Sequence, residues 1–390
     1  MKNFPLIGLL AATSMLSLSA CNFASNDTAS ETAPKPAVAD TDAFASHDDA
    51  PAAAADDRER PIMQAQILLD RLGFAPGVVD DKMGQSTRNA IKGFQEANTL
   101  SVTGELDEKT RQAILAKGNL PATRMVTIPV EFANQTFVPI PEKAEDKAKL
   151  AALGYENLLE ALAERFHTTP DTLRVLNGGG STPQNADEAS KAEDASKADA
   201  NAASATSDDA AIFAAGKQIR VPNVGGDLIS GDAGTDDAWN TTLRMLGIGN
   251  NQAQASKIVV DESDGVLKAL NGDGKLLVQF SATMGSEHDP LPIGTWKVNG
   301  VAYNPPFTYN PKLFWDVADN KPKLQFKPGP NSPVGVVWID INKEHYGIHG
   351  TPSPETIGRA ESHGCVRLTN WDAARLAEMV KPGVEVVFQK

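Results

Sequence analysis

Cysteine is scarce in this chain: Cys21 and Cys365 are the two thiols among 390 residues. That count excludes a disulfide framework, a four-cysteine zinc site and a CxxC redox pair, and allows at most one structural disulfide. Aromatic residues are sparse at 6%. Positive charge is in the minority, 36 Lys and Arg against 50 Asp and Glu for a net −14. A nucleic-acid partner is therefore not expected, because a grip on phosphates needs clustered Lys and Arg. What is present is a 41% hydrophobic, 22% charged composition with 25 prolines and 31 glycines. That suits two or three folded domains with room for linkers.

The first residues read as an export signal. Lys2 gives a positive start, Leu6 to Leu18 is an apolar run too short to span a bilayer, and small residues lead to Cys21. Leu18-Ser19-Ala20-Cys21 resembles the bacterial lipobox. The resemblance implies that residues 1–20 are removed and that Cys21 is lipidated and becomes the first mature residue; the alternative is an ordinary signal peptide cut nearby. Asn22 stands where an inner-membrane retention signal has Asp. For a Gram-negative source the expectation is a periplasmic protein anchored by lipid in the inner leaflet of the outer membrane. Cys365 is then the free thiol of an exported protein.

Two stretches of Ala, Ser, Asp, Thr, Pro and Lys, residues 21–60 and 181–211, have almost no large apolar side chain and are expected to be tethers without a core. Residues 22–60 carry nine acids and three bases, and residues 181–211 carry seven acids and two bases. Most of the negative charge therefore belongs to these stretches, and net charge says little about ligand choice in the folded parts.

Residues 61–118 have helical periodicity. Ile62, Ala65, Leu68, Leu69 and Leu72 recur on one face; a turn-rich Gly73 to Asp81 follows. A second helix from about Ser86 places Ala90, Ile91, Phe94 and Ala97 together, and a third is capped by Asp107 with Thr110, Ile114 and Leu115 inward. The phrases Leu72-Gly73-Phe74, Thr87-Arg88-Asn89-Ala90-Ile91, Phe94-Gln95 and Val102-Thr103-Gly104-Glu105-Leu106-Asp107 resemble the peptidoglycan-binding type 1 family. This resemblance implies a small three-helix domain that binds cell-wall glycan and peptide.

In the middle, Thr123 to Pro141 predicts short strands, Leu158, Leu162 and Phe166 a helix, and Pro170 to Leu176 a second helix ending at Asn177-Gly178. Gly216 to Pro222 reads as a strand. The order at 119–180 and 212–224 resembles a degenerate LysM module whose opening strand is missing and whose loop is swollen by residues 181–211. His167 is expected to be a surface or cap residue, and residues 225–256 a linker.

From residue 257 to 390 the period becomes two. Strands are predicted around Ile258–Val260, Val266–Leu270, Leu276–Ser281, Thr295–Val298, Val336–Ile341 and Val384–Phe388, with a hairpin turn at Asn271-Gly272-Asp273-Gly274 and one helix from Trp371 to Val380. The whole is expected to be a multidomain α+β chain ending in a mainly antiparallel β-sandwich.

The chemistry lies in Tyr346-Gly347-Ile348-His349-Gly350 and, eleven residues further on, Ser362-His363-Gly364-Cys365-Val366-Arg367-Leu368. A lone cysteine becomes a useful nucleophile when a histidine holds its thiolate or takes its proton, and either histidine could serve. Gly350 and Gly364 let the backbone approach a substrate and leave amides for a developing oxyanion. His349, His363 and Cys365 could instead ligate zinc with one open position.

Together with Pro292-Ile293-Gly294-Thr295-Trp296 and Gly329-Pro330-Asn331-Ser332-Pro333-Val334-Gly335, these motifs resemble the YkuD-type L,D-transpeptidase catalytic domain. The resemblance implies Cys365 as nucleophile, His349 as proton acceptor and donor, His363, Ser362 and Gly364 as shaping the site, and Gly350 and Arg367 as meeting the substrate. It implies neither cofactor nor metal. The partners are peptidoglycan stem peptides and glycan, with a membrane reached through the lipid anchor. Tyr309, Phe314 and Trp315 are candidates for the groove wall; His288 and His345 are expected in loops without a role.

Overall fold

A computed structural model describes residues 44, 58–178, 207–225, 236–313, 320–359, 362 and 364–390, all within one compact unit, residues 39–390. The residues expected to form an export signal, Cys21 and most of residues 181–211 lie outside the described residues, as does His363.

The N-terminal helices are Pro61–Arg71, Gln85–Ala97 and Glu108–Lys117. Proline opens the first, where a missing N–H costs nothing. The Asp107 side chain accepts from the Thr110 amide at 2.7 Å and starts the third. Leu68, Leu69, Ala90, Ile91, Phe94 and Ile114 form the core between them; Leu115 is only half-buried. Buried Gln95 donates to the Thr103 and Thr110 hydroxyls and accepts from the Thr103 and Gly104 amides, which pins the turn before the third helix.

Within the turn-rich stretch the chain makes one unforeseen strand. Phe74–Ala75 pairs in parallel with Gln279–Phe280 and so extends the C-terminal sheet at its edge. Gln279 donates to the Asn89 carbonyl at 2.9 Å and the Ser281 hydroxyl to that of Ser86 at 3.2 Å. A strand of two residues has no periodicity to read, so this junction was invisible in the sequence.

The middle module is built on two strands and two main helices, with shorter helices at Val130–Ala133, Ala144–Lys147 and Ser207–Ile212. Thr123–Thr127 pairs antiparallel with Gln218–Pro222, over helices Leu158–Arg165 and Pro170–Leu176. Thr123–Thr127 is one of the short strands expected from Thr123 on, and a long insertion separates it from the two helices. Asn177 clasps the Arg220 backbone, accepting from its amide at 2.8 Å and donating to its carbonyl at 2.9 Å.

Three further expectations are corrected. Phe44, inside the supposed tether 21–60, is 2% exposed and packs edge-on against Phe132 and Phe166 under the Arg165 guanidinium. Residues Ser207–Ile212, at the end of the low-complexity stretch, are helical, with Asp209 accepting two bonds from Arg174 at 3.0 Å each. Residues 225–256 are not only a linker. Asp237–Leu246 is a helix whose Trp239, Leu243 and Leu246 enter the C-terminal core, because they fall at i, i+4 and i+7 on one face.

The C-terminal region is a ten-stranded sheet system. The long strand Gly294–Tyr303 joins its halves: its first residues pair with Glu385–Gln389 and its last with Val337–Ile341. On one side follow Lys257–Asp261, Val266–Leu270 and Leu276–Ser281; on the other follow Gly347–His349, Val366–Arg367 and Thr283–Met284. Asn271 turns the predicted hairpin by accepting from the Asp273 and Lys275 amides. Both halves contribute to one core, with helix Asn370–Met379 and its Trp371, Leu376 and Met379 buried in it.

His167 is not on the surface. It is 3% exposed, adopts φ +52, stacks on Trp371 at 4.9 Å, and has Nδ1 3.5 Å from Asp70. It stands where the three modules meet, and Asp70 in turn lies 3.6 Å from Arg375. Burial pushes Asp372 to about 7, and Glu160 and Glu164 in the middle module to about 7 and 8. Asp70 is held at about 2, because Arg375 and His167 outweigh its burial.

Replacing Leu243 by Ala removes a buried side chain from the helix once read as linker and is expected to cost about 2–5 kcal/mol, checked by the denaturation midpoint of the C-terminal region. The raised carboxyls give a second expectation. An acid whose folded pKa exceeds its unfolded value stabilises the native state most below the unfolded value and loses that contribution as pH rises through the folded one. Stability should therefore fall between about pH 4.5 and 8, and Asp372→Asn should flatten the decline in melting temperature. A profile that rises through this range would contradict the burial of neutral acids here.

Candidate active site

Two short parallel strands build the site. Gly347–His349 pairs with Val366–Arg367 in the register Ile348 to Val366 and His349 to Arg367. Cys365, one residue before its strand, thus falls beside Gly347, and His349 and Arg367 stand side by side. Residues 337–341 flank the histidine strand on its other edge, with Trp338 opposite His349. The strand motif Val336 to Ile341 was legible as a strand, and its alternation puts Trp338 on the same face as His349. The rings stack at 5.5 Å and 18°.

His349 is 5% exposed, and its Nδ1 lies 2.7 Å from the Gly350 carbonyl oxygen. A carbonyl only accepts, so Nδ1 carries the proton and Nε2 keeps its lone pair. Burial, reinforced by the charge of Arg367, lowers the imidazole to about 3, against a smaller opposing pull from the Gly350 carbonyl. Burial likewise pushes the Cys365 thiol up, while the Gly347 amide and Arg367 pull it back. The thiol donates to the His345 carbonyl at 3.7 Å. The resting pair is a neutral thiol and a neutral imidazole, which favours proton transfer during attack over a preformed ion pair.

Both groups line one cavity of about 1000 Å³, with Arg367, Trp338, Tyr346 and Asp289 around them and Pro305, Phe307 and Val334 on its apolar wall. It has room for a peptide-sized ligand. Glycine is demanded at 364, where φ is +90 and a Cβ would stand 2.5 Å from the Tyr346 ring. Gly347 is demanded for a similar reason, since a Cβ there would strike the Trp338 indole at 2.5 Å.

The other sequence candidates divide. Ser362 is buried and its hydroxyl donates to the Cys365 carbonyl at 2.6 Å, so it shapes the turn that presents the thiol. Gly350 is not among the cavity-lining residues; it presses on the Asn370 side chain and offers its carbonyl to His349. The zinc alternative needs His363, outside the described residues; among the described residues no three His, Cys, Asp or Glu cluster to hold a metal. Tyr309 stacks on Phe326 at 5.8 Å instead of lining the cavity, and Phe314 and Trp315 lie outside the described residues. Trp296 of the Pro-Ile-Gly-Thr-Trp motif donates to the Pro292 carbonyl at 2.9 Å and starts the long strand rather than meeting the cavity. His345, expected to be idle, supplies the thiol's acceptor. Its signal was position alone, one residue before Tyr346-Gly347.

Residues 255–388 match the family described as "L,D-transpeptidase catalytic domain" and residues 58–114 the family described as "Putative peptidoglycan binding domain". A 60-residue stretch is 47% identical to the "Putative L,D-transpeptidase YkuD" of Bacillus licheniformis, covering 15% of this chain and 36% of that protein. A stretch of the same length is 45% identical to the "Probable L,D-transpeptidase YbiS" of Escherichia coli, covering 15% of this chain and 19% of that one. The chain thus spans about a third or less of the length of these curated relatives. The solved structure of an L,D-transpeptidase from Mycobacterium smegmatis is 24% identical over 35% of this chain and 59% of that one, with a TM-score of 0.28. Residues 255–388 are thus similar to L,D-transpeptidase catalytic domains, and residues 58–114 to putative peptidoglycan binding domains.

Proposed function

We propose that the protein is a cysteine acyltransferase acting on peptidoglycan stem tetrapeptides. The observation that carries the reading is the pairing of adjacent strands that puts Cys365 and the Nδ1-protonated His349 on one cavity. In the first step the Cys365 sulfur attacks the carbonyl of the third residue, the L-centre of its diamino acid, as His349 Nε2 takes the thiol proton. The amides near Gly364 and Cys365 stabilise the oxyanion. Collapse breaks the C–N bond, the imidazolium returns its proton to the departing D-Ala amine, and a thioester remains on Cys365. An amine acceptor then attacks the thioester, His349 takes the amine proton, the C–S bond breaks and the proton returns to sulfur. The acceptor is an amine of a second stem, giving a 3→3 cross-link, or of a wall-attached protein.

Arg367 has two duties in this scheme. It pairs with the substrate's terminal carboxylate, and its charge tunes the dyad. In the resting protein that charge adds to burial in holding the imidazole down. The peptidoglycan-binding domain keeps the enzyme on its polymeric substrate, and the leader with Cys21 supports attachment to the periplasmic face of the outer membrane.

Incubation with disaccharide-tetrapeptide should release D-Ala and yield a cross-linked or exchanged product by mass spectrometry. Cys365→Ala should abolish turnover while retaining binding to isolated cell wall. Turnover surviving in that variant overturns the thiol mechanism, and a product lacking only D-Ala identifies water as the acceptor. For Arg367→Gln the pH dependence of Cys365 alkylation by iodoacetamide should shift upward, because a charge that favours the thiolate is gone. An unchanged or lower midpoint would remove Arg367 from the dyad's electrostatics.

A further inference from the structure

The motif Gly329 to Gly335 has one face toward the catalytic cavity, through Pro333 and Val334, and the other toward the middle module. Leu153 donates to the Pro328 carbonyl at 2.9 Å, and Asn331 donates back to the Leu153 carbonyl at 3.0 Å. The Asn331 side chain adds bonds to the Gly154 carbonyl at 2.9 Å and to Glu160 at 2.7 Å. Gly329 has φ +148, and a Cβ there would stand 1.9 Å from the Leu153 oxygen, so only glycine permits this approach.

Behind the same strap lies Asn370, fully buried at the start of its helix. Its Nδ2 donates to Glu164 Oε1 at 2.9 Å and to the Pro330 carbonyl at 3.2 Å, and its Oδ1 accepts from the Val336 amide at 3.3 Å. Two acceptors on one side and a donor on the other fix the amide's orientation. Oδ1 is wedged against two glycines: a Cβ on Gly335 would lie 1.9 Å from it and one on Gly350 2.3 Å from it. Gly350 is the residue whose carbonyl holds His349 Nδ1. A contiguous path of contacts therefore runs from Glu164 to Asn370, to Gly350, to the imidazole.

We infer that Glu164 of the middle module is a positioning residue for the catalytic histidine: through Asn370 it fixes the Gly350 carbonyl that sets the tautomer and direction of His349. The middle module is on this account a built part of the acyl-transfer site, and the inference rests on the proposed transpeptidase chemistry for its effect on turnover. Tyr155 completes the arrangement by donating to Glu164 Oε2 at 2.9 Å. With its carboxyl at about 8, Glu164 is mostly neutral at pH 7, so glutamine is its close mimic.

The test compares Glu164→Gln, Glu164→Asp and Glu164→Ala in the full chain. Glutamine keeps an oxygen for Asn370 and offers its NH2 to Tyr155; aspartate withdraws the acceptor by one methylene with a smaller void than alanine leaves. Glu164→Asp and Glu164→Ala should lower kcat at least fivefold with KM within twofold, and the His349 nitrogen-15 signals should lose the single Nδ1–H pattern. Glu164→Gln should restore both. If Glu164→Ala does not fold, the aspartate and glutamine pair decides. A lowered melting temperature with wild-type kcat and imidazole signals would overturn the inference in favour of simple packing. Wild-type protein without turnover, but with imidazole signals that still move in Glu164→Asp, would count against the transpeptidase reading and leave the positioning role standing.

Discussion

The bond from His349 Nδ1 to the Gly350 carbonyl is the constraint on which the site depends. It decides which ring nitrogen keeps its lone pair, and so that Nε2 is the atom able to take a proton. Everything around it serves to hold a neutral ring in place. Trp338 covers one ring face, burial suppresses the charged form, and the parallel strand pair brings Cys365 alongside. A charged histidine would need solvent or a carboxylate partner, and this pocket gives it the Arg367 guanidinium instead. The thiol meets the same condition, since burial keeps its proton on. Two neutral partners cost little to bury.

The scaffold delivers this arrangement through contacts between modules rather than within one. The N-terminal helices enter the catalytic sheet as a parallel edge strand. The middle module latches the strap 329–335, and His167 stacks on Trp371 of the catalytic domain. These junctions are polar and buried, with Asp70, Arg375, Glu164 and Asn370 at their centres. Breaking one partner of such a pair leaves a buried group unsatisfied, which fixes one mutual arrangement more sharply than apolar contact alone.

The sequence carried the His349 and Cys365 motifs and the strands near them, because period-two patterning and the spacing of His349 and Cys365 are local. It carried the three N-terminal helices and the Asp107 cap for the same reason. It did not carry the junctions. Glu164 looks like one more charge on an amphipathic helix, and only the fold puts it against Asn370, 206 residues away. Phe44 was lost in polar surroundings and Trp239 in a region taken as linker, each an apolar anchor whose partners are distant in sequence. The two-residue strand Phe74–Ala75 was missed for lack of any periodicity, and the pairing of Thr123–Thr127, itself legible as a strand, because its partner follows more than ninety residues later. A glycine beside His349 can serve a ligand or the scaffold as far as sequence goes, and only the fold brings the Gly350 carbonyl to the imidazole.

The state of the imidazole in the resting protein is the claim from which the rest follows, and nitrogen-15 NMR of selectively labelled histidine measures it directly. The account predicts a His349 signal pair of a neutral Nδ1–H ring, unchanged from pH 8 down to about pH 4, in keeping with an imidazole held at about 3. A ring that is Nε2-protonated, or an imidazolium already formed near pH 6 to 7 where free histidine titrates, would contradict it.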